Sequence, residues 1–151
     1  MLYLLTLIII VAVLIFLIKN QKNTVPQSNY SYKQKTLMTD NEYEFLNRLI
    51  SAFPNHHIFP QVSMGAILDV SKAENKNIQA GRNTFNKKII DFIIYSKDQK
   101  IVAVIELDDK THDKDKDDKR DAMLSQAKYN LYRFDSRKKP TVEELKNLIK
   151  L

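Results

Sequence analysis

Residues 85–121 of this 151-residue chain read FNKKIIDFIIYSKDQKIVAVIELDDKTHDKDKDDKRD and contain two apolar runs, Ile89–Tyr95 and Ile101–Leu107. Both runs are rich in Ile, Val, Phe and Tyr, have the length of a strand, and are separated by a short polar link. This composition and spacing predict a β-hairpin. Each run carries one acidic residue where a buried strand usually has none, Asp91 in the first and Glu106 in the second.

The two acidic residues come close together if the hairpin folds about Asp98. Two registers are compatible with that turn, and one of them places Asp91 directly opposite Glu106, with Cβ atoms about 4.5–5.5 Å apart on one face. Two half-buried carboxylates at that separation repel each other, and a divalent cation is the simplest compensation. The alternative is that one acid forms a salt bridge with Lys87 or Lys88 while the other lies at a solvated strand end.

The N-terminal residues Leu2–Ile18 contain no charged side chain. As a helix they span about 26 Å, close to the ~30 Å hydrocarbon core of a bilayer. A cleaved signal peptide is the alternative, but neither a basic N-terminal region nor an Ala-x-Ala site is present. Residues 1–18 are therefore predicted to form one transmembrane anchor. Lys19 and Lys22 follow it, which predicts an inner-membrane location with the remaining chain in the cytoplasm.

Residues 19–36 carry four lysines, no acidic residue and a single aliphatic residue, Val25. This composition predicts a flexible basic linker that is able to contact anionic lipid headgroups. The linker accounts for +4 of the net charge of +6, which leaves +2 for residues 37–151. A charge this small is weak support for nucleic-acid binding. The chain has no cysteine, which excludes disulfides and thiolate metal sites.

Residues 37–151 have the size of one domain. Two capping boxes, which begin at Thr39 and Thr141, predict the start of a first and a last helix. Between them the pattern predicts a strand at residues 58–62, an ambiguous apolar segment at 64–70, a loop at 71–83, the hairpin, a helix at 117–129 and a strand at 130–135. This order predicts an α/β fold with a mixed sheet flanked by helices, in which the last strand is parallel to its neighbour.

Helical spacing also predicts which side chains of the three helices point inward. These residues are Tyr43, Leu46, Leu49, Ile50 and Phe53 in the first helix, Ala122, Met123, Leu124 and Ala127 in the second, and Leu145, Leu148 and Ile149 in the third.

The stretch from Asp108 to Asp121 has seven aspartates and five basic residues. A solvated loop that leads into a charged helix accounts for such a composition. An EF-hand does not match, because the stretch lacks the central glycine and the closing glutamate.

The same stretch takes part in a resemblance to a known family. The pattern resembles the bacterial family known as domain of unknown function 2726, whose members often carry an N-terminal membrane anchor. It is similar in turn to the PD-(D/E)XK restriction-endonuclease-like superfamily, near the very-short-patch repair nucleases. The resemblance covers about Leu37 to Leu148 and is carried by the segments Ile90–Phe92, Val104–Asp109, Thr111-His112, Arg120-Asp121 and Asn130–Phe134.

This resemblance implies a nuclease-type core in which Asp91, Glu106 and the backbone carbonyl of Leu107 hold Mg²⁺. Such a metal stabilises charge on a phosphodiester and activates water. The superfamily commonly has a lysine two residues after the glutamate, where this chain has Asp108. Asp108 is therefore a candidate further ligand, and His112 a candidate general acid or base.

Two functions follow from the resemblance. The first is a membrane-anchored, Mg²⁺-dependent nuclease that acts on cytoplasmic nucleic acid, with Lys88, Arg120 and Arg133 as candidate phosphate contacts. The second is a catalytically inactive form of the fold that serves as a membrane-tethered binding or scaffold module. The retained acid pair favours the first function, whereas Asp108 favours the second. The nucleic-acid substrate and the oligomeric state are left open.

Overall fold

The computed structural model describes residues 2–20, 30–71, 77–109 and 114–151, and for residues 2, 5, 8, 17–20 and 114–117 it describes the backbone alone. The chain divides into two compact units, Met1–Lys35 and Thr36–Leu151.

In the first unit the predicted N-terminal helix is present as α1, Leu2–Asn20. Its large apolar side chains are exposed wherever they are described, for example Phe16 at 65% and Ile10 at 56%. Within the described residues, no helix is both long enough and apolar enough to cross a membrane, so the predicted transmembrane helix of residues 1–18 is not found.

The second unit is a four-stranded sheet flanked by helices. Along the chain its elements are α2 (Asp40–Ala52), β1 (His57–Ser63), a 3-10 helix (Met64–Ala66), α3 (Ile78–Asn83), β2 (Ile89–Tyr95), β3 (Ile101–Asp108), α4 (Lys114–Gln126), β4 (Leu131–Asp135) and α5 (Val142–Leu148). The strands follow the order β1-β2-β3-β4; the first two pairings are antiparallel and the last is parallel. The predicted mixed sheet with a parallel final strand is thus confirmed.

The hairpin contains an irregularity that affects its register. Tyr95 pairs with Ile101 near the turn, whereas Phe92 pairs with Ile105 further along, and the register shifts between these two points. Val102 is the extra residue that this shift leaves unpaired, as in a β-bulge. Both predicted registers therefore occur, one on each side of the bulge.

Each face of the sheet packs against a separate apolar cluster. On one side α2 and α5 cover the sheet, and the cluster contains Phe45, Leu49, Phe92, Ile94, Ile105 and Leu145. The cluster on the other side contains Met64, Phe85, Ile90, Ile93, Val104 and Leu124. Both capping boxes are present. The side chains of Thr39 and Thr141 each accept a hydrogen bond from the backbone N–H of the glutamate three residues later, and that glutamate side chain accepts one from the threonine N–H. The helices are thus docked on the sheet by apolar packing and their first turns are fixed by side-chain caps.

The inward face of α2 differs from the predicted one. Phe45 is completely buried, whereas Tyr43 is 58% and Ile50 49% exposed. Phe45, Leu49 and Ala52 lie along one stripe of the helix, and this stripe meets the sheet. Helical spacing alone does not distinguish two adjacent stripes that both contain large apolar residues.

Three other elements also depart from the prediction. Part of the predicted loop at residues 71–83 is the short helix α3, whose first turn is capped by the Asn77 side chain. In α4, Leu124 is fully buried and Ala122 is exposed, as is Ala127 just after the helix. In α5, Leu148 is 54% exposed.

Candidate active site

The candidate active site is built on Asp91 in β2 and Glu106 in β3. Continuing the observed pairing of Phe92 with Ile105 by one residue places Asp91 opposite Glu106, so their side chains share a face. The two carboxyl groups are close enough to hydrogen-bond each other. The bulge at Val102 determines this arrangement, because the register before the bulge would pair Asp91 with Ile105 instead.

Asp91 is held by the backbone of the neighbouring strand. Its Oδ2 accepts a hydrogen bond of 2.8 Å from the Leu107 N–H. Burial raises the pKa of Asp91, and the charge of Glu42 acts in the same direction; the Leu107 N–H, Glu106 and Arg120 oppose the rise. Asp91 is therefore a constrained carboxyl group whose ionised form is only partly compensated.

Glu106 is the more strongly perturbed partner. It is 2% exposed. Burial and the charge of Asp91 raise the pKa of Glu106 to about 8, although Arg120 and Arg133 pull it down. The hydrogen bond between the two acids lowers the pKa of Asp91 and raises that of Glu106. Glu106 is thus the acid that keeps the proton at neutral pH and donates it to Asp91.

One oxygen of Glu106 is buried and accepts no hydrogen bond from any described residue. The guanidinium Nη1 of Arg120, in α4, lies 3.2 Å from Glu106 Oε1 and also donates to the Ile89 carbonyl at 3.4 Å. The approach of Arg120 to Oε1 has the distance of an ion pair but not the geometry of a hydrogen bond, so Oε1 has no hydrogen-bond partner among the described residues. A buried oxygen in this state retains capacity for a ligand.

Asp108 is engaged by Arg133 of β4. Both carboxylate oxygens of Asp108 accept hydrogen bonds of 2.7 Å from this guanidinium, which also donates to Asp121 at 2.6 Å. Arg133 thus joins β3, β4 and α4 through one bidentate and one single hydrogen-bonded ion pair. A carboxylate held in this way is less available to a metal ion than Asp91 or Glu106.

Two residues near the acid pair were not predicted from the sequence. Gln61, in β1, donates from its side-chain amide to Glu42 Oε1 at 3.2 Å. Glu42 is also the capping glutamate of α2, with Oε2 accepting from Thr39. A glutamine inside an apolar strand is a weak signal of a functional site. Glu42 gives no such signal, because its role in the capping box already explains a glutamate at this position.

Of the two remaining predicted site residues, the structure describes Lys88 but not His112. Lys88 immediately precedes β2 and is half-buried, and its backbone carbonyl accepts from the Met64 N–H. His112 lies outside the described residues. Across the described ranges, no group of three or more His, Asp or Glu side chains is arranged to hold a metal ion. The described site therefore consists of two carboxyl groups, an adjacent arginine and the strand backbone.

Comparison with known proteins gives a family but no activity. A family model described as "Protein of unknown function (DUF2726)" matches residues 34–147. The chain is 35% identical over 100 residues to an uncharacterized protein of Haemophilus influenzae, an alignment that covers 64% of this chain and 50% of the relative. The chain thus spans about half the length of that relative. No solved structure matches the chain.

Proposed function

The chain belongs to the DUF2726 family of proteins of unknown function, and we propose that it is a Mg²⁺-dependent nuclease of the restriction-endonuclease-like type. One observation carries the proposal. Glu106 is an almost fully buried acid that faces a second acid, and one of its oxygens accepts no hydrogen bond from the part of the chain that the structure describes. Burying two adjacent carboxyl groups disfavours their ionisation, and a bound cation is the change that makes both charged forms favourable.

The residues at this position fit a hard cation. Asp91 and Glu106 would hold Mg²⁺ together with the carbonyl of Leu107. That carbonyl faces the same side as the Leu107 N–H, which points at Asp91, because both groups of one strand residue address the same neighbouring strand. When bound, Mg²⁺ stabilises negative charge on a phosphodiester and lowers the pKa of water. Glu106 must release its proton first, so affinity for the cation rises with pH up to about 8.

The arginines supply positive charge beside the acids. Arg120 contacts Glu106, and the side chain of Arg120 is only 16% exposed, so its guanidinium lies beside the acid pair. Arg133 neutralises Asp108. Asp108 is the residue at the position where the restriction-endonuclease-like superfamily commonly has a lysine. We propose that Arg120 provides the cationic group that stabilises the phosphate as charge develops on it.

A second function remains in competition with the first. The bidentate pair of Asp108 with Arg133 places a neutralised carboxylate where a free cation is common in the resembled superfamily. This observation favours a catalytically inactive domain that binds nucleic acid or a protein without cleaving it.

Metal binding and cleavage by the purified full-length chain in detergent distinguish the two functions. We expect Mn²⁺ to bind with one site per chain in a calorimetric titration. We also expect single- or double-stranded DNA or RNA to be cut in the presence of Mg²⁺ or Mn²⁺ and to stay intact in EDTA. A chain that binds no Mn²⁺ and cuts none of these substrates contradicts the nuclease and leaves the scaffold function.

For the location of the chain, we propose that α1 attaches it to the inner membrane with residues 37–151 on the cytoplasmic side. The support is the run of exposed apolar side chains on α1, followed by lysines in the sequence. Protease added to intact cells should leave residues 37–151 uncut, whereas protease in lysed cells should degrade them. A full-length chain that stays in the supernatant after lysis and ultracentrifugation contradicts the attachment.

A further inference from the structure

Gln61 is the residue of β1 that lies opposite Asp91. Its neighbours Pro60 and Val62 pair with Phe92 and Ile90, the two neighbours of Asp91. Asp91 and Glu106 are therefore two positions of a row that crosses the sheet, and Gln61 in β1 is the third position of this row.

The backbone of Gln61 adopts a conformation that is rare for its residue type. Its φ of 53° lies in the left-handed region, which is unfavourable for a residue with a side chain. Two other non-glycine residues of the described chain, Gln99 and Lys128, share a positive φ, and they lie in the β2–β3 turn and in the turn that follows α4. Gln61 is the one described case inside a strand. Residues held in such conformations within regular structure cluster at functional sites.

The side chain of Gln61 connects the row of acids to α2. Its amide donates to Glu42 Oε1, while Oε2 of the same carboxylate is fixed by the N–H and hydroxyl of Thr39 at 2.6 and 2.7 Å. Glu42 is thus held from both oxygens. The negative charge of Glu42 raises the pKa of Asp91. A third carboxylate is therefore fixed within electrostatic range of the acid pair.

We propose that Gln61 is a positioning residue of the acid site, which holds Glu42 towards a divalent cation bound by Asp91 and Glu106. The inference rests on the proposed function, because it assumes that the pair binds a cation. Glu42 acts through the water molecules that complete the cation's coordination. Groups that orient the ligands of a metal site typically change metal affinity by about 10–100-fold when removed.

Mn²⁺ titration of the full chain in detergent, combined with thermal melting, tests the proposal. We expect Gln61→Gly to weaken Mn²⁺ binding by about tenfold or more. Its melting temperature should be unchanged or higher, because glycine adopts a positive φ without strain. The matched control is Gln99→Gly, another glutamine at positive φ, with φ of 60°, which lies in the hairpin turn. It should give the same thermal response with wild-type Mn²⁺ affinity.

Gln61→Leu separates the hydrogen bond from the backbone, since it removes the amide but keeps a side chain on the same strained position. It should weaken Mn²⁺ binding as much as Gln61→Gly does. Wild-type affinity in both Gln61 variants would overturn the positioning role while the proposed function stands. A wild-type chain that binds no Mn²⁺ would instead overturn the proposed function, and the positioning role with it.

Discussion

Glu106→Gln is expected to lower the rate of Mg²⁺-dependent cleavage by about 10³-fold or more, since the bound cation contributes several kcal/mol of transition-state stabilisation. Glutamine has nearly the size of glutamate but cannot carry the negative charge that holds the cation. The fold should tolerate the change, because Glu106 faces Asp91 as a neutral acid at pH 7. Single-turnover cleavage at saturating Mg²⁺ and a melting curve measure the two effects.

The control for this substitution is Glu143→Gln in α5. The Glu143 side chain is 77% exposed and pairs with Lys146 on the helix surface. The Glu143→Gln variant should cleave at a rate within about twofold of wild type, because an exposed ion pair contributes little to stability. If Glu106→Gln cleaves as fast as Glu143→Gln, the acid pair is not the catalytic centre, whatever activity the chain has.

The stability of the metal-free protein is expected to fall as the pH rises from about 5 to about 9. The carboxyl group of Glu106 has a pKa of about 8 in the folded chain and a reference value of 4.5. The folded state therefore binds more protons than the unfolded state between these two values. The stabilisation that Glu106 gives the folded state is fully present below its reference pKa of 4.5 and is lost as the pH rises through its folded pKa of about 8. This difference corresponds to a loss of about 5 kcal/mol at most in the free energy of unfolding.

Urea denaturation in EDTA at several pH values measures this loss. The Glu106→Gln chain should lose most of the slope, whereas Glu143→Gln should keep it. Carboxylates whose pKa is lowered, such as Glu44 beside Lys139 and Arg48, titrate below this window and do not obscure it. Wild-type stability that stays constant or rises between pH 5 and pH 9 would contradict the buried, protonated state of Glu106.

The architecture of residues 37–151 is largely predictable from local signals. The hairpin follows from two β-branched runs, and both outer helices follow from capping boxes that the structure contains. The parallel pairing of β3 with β4 follows from the helix between them. The buried stripe of α2 is less predictable, because Phe45 and Tyr43 both lie at helical spacing from other apolar residues and only the sheet selects between them.

The candidate site is only partly predictable for a different reason. Asp91 and Glu106 are conspicuous as acids in apolar strands, but their pairing depends on the unpaired Val102, which leaves no mark in the sequence. The strained backbone of Gln61 also gives no signal, because a positive φ is anticipated from glycine or asparagine and not from glutamine. Long-range ion pairs such as Arg133 with Asp108 require the parallel strand to be in place first.

The bulge in β3 also determines which changes in chain length the hairpin can accept. Deleting Val102 would let Ala103 follow Ile101 directly, and Ile94 could keep its present partner. A one-residue deletion beyond this point would move Glu106 to the opposite face, unless the bulge were lost at the same time. The hairpin thus contains one spare position near its turn. A one-residue deletion can therefore be accommodated there without separating the two acids.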